Sequence, residues 1–139
     1  MTARFTYLLI LLTFSLSVVA QSAEKTFSKS FSTESKGTIK LDLPGAIDLK
    51  IWDNTTIRIG ITVSIPSGNS AMLGELADVG RYNLVSKPEG DMLTITAPNM
   101  QKQIRVKGEE LRETLTFVIF VPKDLKIEMP NAGNYAAKR

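Results

Sequence analysis

Residues 39–65 read IKLDLPGAIDLKIWDNTTIRIGITVSI, and the odd positions Ile39, Leu41, Leu43, then Ile47, Leu49, Ile51, then Ile57, Ile59, Ile61, Val63 and Ile65 are all apolar. Lys40, Asp42, Asp48, Lys50, Arg58, Thr62 and Ser64 stand between them. Successive side chains of a strand point to opposite sides, so a period of two describes strands with one buried face. β-branched residues fill many of the buried positions, where a pleated surface suits them. Pro44-Gly45 and Asp53-Asn54-Thr55 are the breaks, the first through a missing donor and a permissive glycine, the second as an Asx-type turn. Both turns preserve parity, so three strands keep a single apolar face.

Outward from this stretch the same grammar continues. The spacing predicts strands over 81–87 and 91–97, joined by Pro88-Glu89-Gly90 as a hairpin, with Leu93, Ile95 and Ala97 on one side. Between them and Pro66, residues 67–80 change period. Ala71, Met72, Leu73, Leu76 and Ala77 fit a short helix capped by Asn69 or Ser70 and stopped by Gly80, although Gly74 within it costs about 1 kcal/mol. This insertion is expected to lid one end of the sheets. Gln103 to Lys107 alternates briefly and places Arg105 and Lys107 on one solvated face. Glu110 to Val121 is apolar on both faces near its end, as for a central strand covered on both sides. Leu125, Ile127 and Met129 form a last strand, and the tail 131–139 carries no strand pattern and is read as loosely packed.

The N-terminus sets the compartment. Residues 1–20 have Arg4, an apolar run from Tyr7 to Val19, and small residues ending in Ala20 before Gln21, the three parts of a cleavable export signal. The run is shorter than the roughly 20 apolar residues that span a bilayer. Residues 21–139 then make one β-rich domain with a modest core. The chain has no cysteine, so it is neither a lipoprotein nor held by disulfides. With 17 Lys and Arg against 14 Asp and Glu it is nearly balanced, which argues against a nucleic-acid or membrane-surface role.

Histidine is absent as well as cysteine, so Ser-His-Asp, Cys-His and histidine-based metal sites cannot be built. No cofactor motif is present, and no metal site is expected. A carboxylate pair from Asp42, Asp48 and Asp53 is the remaining catalytic option, that of a carbohydrate-active enzyme, against the simpler reading of solvated acids beside turns. Asn54-Thr55-Thr56 matches a glycosylation acceptor in a tight turn. Trp52 follows the inward Ile51 and so points outward, where an indole stacks on a sugar or packs on a partner; the plainer reading has it closing the margin of the sandwich. Tyr82 and Phe120 take the same two readings. Trp52, Asp53 and Lys126 are the candidate contact surface. A closed ligand-binding barrel would need a cavity that two apolar faces instead fill.

The stretches GTIKLDLPGAIDLKIWDNTTIRIGITVS, LVSKPEGDMLTITAP and LTFVIFVPKDLKIEMPNAG together resemble the DUF4097/DUF2807 group of exported bacterial proteins, described as adhesins or head-domain proteins. The matching punctuation is Gly45, Trp52-Asp53, Gly90-Asp91, Val121-Pro122 with Leu125, and Asn131 with Gly133, over about residues 27–134. The resemblance implies an all-β ladder, solenoid-like or sandwich-like, of about nine short strands on or near the cell envelope, with no catalytic residues to carry over. It points to a non-catalytic, exported module for surface or envelope contact, in the periplasm, envelope or outside the cell, with a protein or glycan surface as partner. The strand 125–129, with Lys126 its only positive guard, is expected at an edge, where it either self-associates or captures a partner's strand, or is covered by the tail 131–139 folding back.

Overall fold

The structure, a computed structural model, describes residues 22–131. It is all-β apart from one helix: β1 (Ala23–Ser32), β2 (Thr38–Asp42), β3 (Ala46–Trp52), β4 (Thr56–Ile65), α1 (Ser70–Asp78), β5 (Val85–Glu89), β6 (Met92–Thr96), β7 (Arg105–Val106), β8 (Glu109–Glu110), β9 (Thr114–Pro122) and β10 (Lys126–Glu128). Two four-stranded sheets face each other. The first runs β1-β4-β9-β3 and the second β10-β2-β6-β5, while β7 and β8 form a small separate hairpin. Residues 1–20, read above as an export signal, and residues 132–139 of the tail lie outside the described residues.

The odd-numbered apolar residues do point inward, and one continuous core joins the sheets. Ile39 and Leu41 of the second sheet, with Leu43 just beyond β2, meet Ile57, Ile59, Val63, Phe117 and Ile119 of the first, all without solvent exposure. The partners differ from a simple meander, however. Pro44-Gly45 is a corner that hands the chain from the second sheet to the first, so β2 and β3 share parity but not a sheet. β3 then pairs in parallel with β9, register Leu49 to Ile119, rather than with β4. A Cβ on Gly45 would run into the Leu115 carbonyl and touch the Phe117 ring, so the corner needs a glycine to let the chain pass against β9. β2 likewise pairs in parallel with β6 and with β10.

One strand goes unpredicted and two further expectations are corrected. β1, an unbroken ten-residue strand paired antiparallel with β4, is not legible from the alternation, because its inward row reads Ala23, Lys25, Phe27, Lys29, Phe31. The strand predicted from Arg81 begins only at Val85. Residues 81–84 are instead a loop that buries Arg81, Tyr82 and Leu84. Arg105 and Lys107 do not share a strand face, because Lys107 (φ 52°) and Gly108 (φ 82°) are the two central residues of the β7-β8 hairpin turn, the φ > 0 pair that suits a type I′ turn. The helix and the β5-β6 hairpin agree with expectation: Asn69 caps α1 by accepting from the Met72 N–H at 2.8 Å, and Gly90 (φ 57°) sits in the turn.

Loop 81–84 is held by an ion pair. Arg81 donates to Glu113 and to the carbonyls of Asn99, Met100 and Lys102, and both charged side chains are only 6% exposed. The Tyr82 hydroxyl donates to the other Glu113 oxygen at 2.9 Å. Burial raises the Tyr82 hydroxyl well above its ordinary pKa, with the hydrogen bond and charge of Glu113 adding to the effect. The Tyr82 ring stacks on Phe27 of β1 at 5.2 Å, and Lys29 Nζ donates to the Leu84 carbonyl at 3.1 Å. The loop thereby closes the β1-β5 end of the sandwich, with α1 packed against β1 and its Leu73 in the core.

Candidate contact surface

The outer side of the first sheet is built by even-numbered residues in cross-strand rows. Lys50, Phe120, Arg58 and Ser30 form one row; Asp48, Val118, Gly60 and Ser28 the next; Ala46, Thr116, Thr62 and Thr26 the third. All of these residues are exposed or half-buried. The reason for the two apolar faces of β9 is now visible: its inner residues Phe117 and Ile119 fill the core, while Phe120 lies on the outer face beside Trp52. The central strand is thus covered on one side only by the opposite sheet.

Trp52 sits at the corner of this face. Its Nε1–H donates to the Thr56 carbonyl at 2.8 Å, and its ring lies 5.3 Å from Phe120, tilted by 36°. The hydrogen bond spans the Asx turn, where Asn54 Oδ1 accepts from the N–H groups of Thr55 at 2.7 Å and Thr56 at 3.2 Å. The indole is therefore half-buried and held in orientation by Thr56 and Phe120 on the outer side of the first sheet. Lys50 Nζ lies 5.8 Å from the Phe120 centroid, a cation–π contact that adds a charge to the aromatic pair. Hydroxyls continue the face: Arg58 Nε donates to Ser28 Oγ at 3.1 Å, and the Thr26 and Thr62 hydroxyls are 3.1 Å apart. Gly60, in the middle, presents no side chain beside Val118.

The three candidate residues are only partly brought together. Asp53 follows Trp52 and is paired with Lys123 at 3.8 Å, its side chain almost fully exposed. Lys126 belongs to the second sheet, exposed and paired with Glu128 at 3.6 Å, so it does not share the face of Trp52. The carboxylates are also dispersed. Asp42 lies on the second sheet, bonded by Asn131 Nδ2 at 2.6 Å, while Asp48 lies on the first, 3.8 Å from Lys50. Arg58 is the member of the face that sequence reasoning misses, since it carries no signal beyond an outward parity. Phe120 is signalled by the doubly apolar run of β9, but not as the partner of Trp52.

Two open grooves lie on other parts of the surface. One, of about 750 Å3, runs between Pro66–Met72 and Val106–Arg112; the other, of about 600 Å3, lies between Gln101–Gln103 and Glu110–Leu115. The first is lined by α1, the β7-β8 hairpin and their connecting loops, and the second by the loops around Met100 and Leu111 with the ends of β4 and β9. No helix among the described residues is long and apolar enough to cross a membrane.

No protein-family model and no curated protein matches the sequence. Two solved structures are similar at low identity: a "putative cell adhesion protein" from Clostridium sporogenes ATCC 15579, at 11% identity and TM-score 0.41 over 76% of this chain and 45% of that one, and a "putative lipid binding protein" from Parabacteroides distasonis ATCC 8503, at 19% identity and TM-score 0.38 over 77% of this chain and 37% of that one. The chain spans less than half the length of either structure.

Proposed function

We propose that this chain is an exported, non-catalytic contact module of the adhesin-like kind, similar to the DUF4097/DUF2807 group, and that it meets a surface glycan with the outer side of its first sheet. The observation that carries this reading is the fixed Trp52–Phe120 pair at one corner of a face whose other groups are mainly hydroxyls and single charges. An oriented aromatic pair offers an apolar platform. Neighbouring hydroxyls, Arg58, Lys50 and Asp48 offer hydrogen bonds to a polyhydroxylated ligand. Export places the face where such ligands occur, and intact-mass measurement of the secreted protein is expected to find Gln21 as the first residue.

Trp52 is the sole tryptophan, so it reports on its own face. Titrating the mature protein with soluble cell-surface polysaccharides and with isolated peptidoglycan is expected to change its emission. Trp52→Ala and Phe120→Ala are expected to abolish co-sedimentation with the insoluble polymer. Unchanged emission across the polymer set, or co-sedimentation that survives Trp52→Ala, would overturn the assignment of this face.

A further inference from the structure

Among the described residues the β3 strand is a margin of the first sheet, and it reads Ala46-Ile47-Asp48-Leu49-Lys50-Ile51-Trp52. Its inward row, Ile47, Leu49 and Ile51, has the parity of the core but not its burial. Ile51 is 70% exposed, whereas Ile119, on the adjoining strand β9, is fully buried. The outward row places Asp48 and Lys50 on either side of Leu49. About Leu49 the strand is therefore symmetric in its apolar residues, Ile47 and Ile51, and antisymmetric in its charges, Asp48 and Lys50.

We propose that a second copy of this chain pairs with β3 in antiparallel register centred on Leu49. In that register Ile47 faces Ile51 of the other copy, Leu49 faces Leu49, and Asp48 faces Lys50, each unlike relation occurring twice through the two-fold axis. Cross-strand apolar pairs and opposite charges are the interactions that stabilise neighbouring strands, while like charges directly opposite repel. Ile51 loses its exposure, the free N–H and C=O groups of the margin find partners, and two four-stranded sheets become one of eight. Ala46 faces Trp52 of the other copy, a small residue where a large one needs room. This surface goes beyond the glycan face, which stays free on the outer side of the joined sheet.

The same margin comparison sets the location. β10 is the corresponding margin of the second sheet, but it has three residues against seven in β3 and is followed by Pro130, which cannot donate to a ladder. Self-association is therefore directed to β3 rather than to 125–129. The other candidate for this margin is the segment 132–139 of the same chain, which the test separates.

Sedimentation of the full mature chain across the micromolar range, alone and as Asp48→Lys, Lys50→Asp and the double exchange, decides the matter. Both residues are exposed and on the outer side, so the fold is expected to persist, as far-UV circular dichroism will verify. Wild type is expected to dimerise. Each single reversal sets two like-charge pairs in place of two attractive ones and is expected to weaken the dimer about tenfold or more. The double exchange restores complementarity and is expected to restore the dimer. A dimer indifferent to the single reversals, or a monomer at all concentrations, overturns the proposal; a monomer whose β3 amides are protected from hydrogen exchange overturns it in favour of segment 132–139.

Discussion

The two margins of the first sheet have the same backbone problem and opposite side-chain chemistry. β1 gives Lys25 and Lys29 the inward parity, opposite Val63 and Ile59 of β4, and interleaves them with Phe27 and Phe31, although both lysines stay exposed at the margin. Both ammonium groups lie near the rings, Lys25 at 5.8 Å from Phe27 and Lys29 at 5.1 Å from Phe31, and Lys29 also reaches the Leu84 carbonyl. An inward charge on a margin strand blocks a further strand, because pairing would bury it. β3 has no such guard: its inward row is wholly apolar and its charges face outward. In the second sheet the contrast repeats, since β5 carries Pro88 while β10 presents Ile127 between Leu125 and Met129. One end of the sandwich is closed by charge, proline, α1 and loop 81–84; the other is left with half-buried core residues.

The largest test of this contrast strikes the closed end. Glu113 receives both Arg81 and Tyr82, and Glu113→Ala leaves a buried guanidinium without its counter-charge. A loss of about 3–5 kcal/mol in unfolding free energy is expected by denaturant titration. Breaking the exposed Lys87–Glu89 pair by Lys87→Ala is expected to cost under about 1 kcal/mol. Equal losses would mean that the ion pair of loop 81–84 is not what secures that end.

The next test compares residues of equal parity. Ile59→Ala and Ile119→Ala remove fully buried side chains between two sheets, and each is expected to cost about 2–5 kcal/mol. Ile51→Ala has the same parity at the open end and is expected to cost under about 1 kcal/mol at concentrations where the protein is monomeric. A large loss there would show that the open end is covered in the folded monomer.

These pairs also explain what can be read from the sequence. Parity reveals the inward face at Ile39, Ile59 and Ile119 because a period of two records which side of a strand meets the core. It does not record which strand lies next door. β2 and β3 look like neighbours across Pro44-Gly45, yet both inner faces of a sandwich carry the same signature, and the corner exchanges sheets without changing parity. β1 escapes because the lysines that guard it break the apolar row. Arg81 to Leu84 looks like a strand because buried loop residues and strand residues share composition; the carbonyls that satisfy Arg81 belong to Asn99, Met100 and Lys102, a distance no local pattern spans. Trp52 is legible as outward, but its partner Phe120 comes from a strand far along the chain and joins it only through the parallel β3-β9 register.

A smaller effect is expected where α1 meets the closed end. Asn69→Ala removes the cap that accepts from Met72 and is expected to cost about 1 kcal/mol. Because α1 packs on β1 and not on β3, amide exchange is expected to quicken along α1 and β1 while β3 stays unchanged. A change at β3 would couple the two ends and weaken the contrast between them.

The smallest stability effect carries the sharpest test of the guard. Lys29→Val places a strand-favouring apolar residue opposite Ile59 and removes the hydrogen bond to the Leu84 carbonyl. Lys29 is exposed, so the net change is expected to stay within about 1 kcal/mol. The substitution leaves an unbroken apolar run from Phe27 to Phe31 along the inward row of β1, which then resembles the inward row of β3. If inward charge is what keeps this margin unpaired, Lys29→Val combined with Lys25→Val will self-associate through β1 even when Lys50→Asp has disabled β3. Light scattering across the micromolar range reads the outcome. A monomer in that triple variant would mean that α1 and loop 81–84 shield β1 sterically, and that the lysines are solvated residues with no part in keeping strands away.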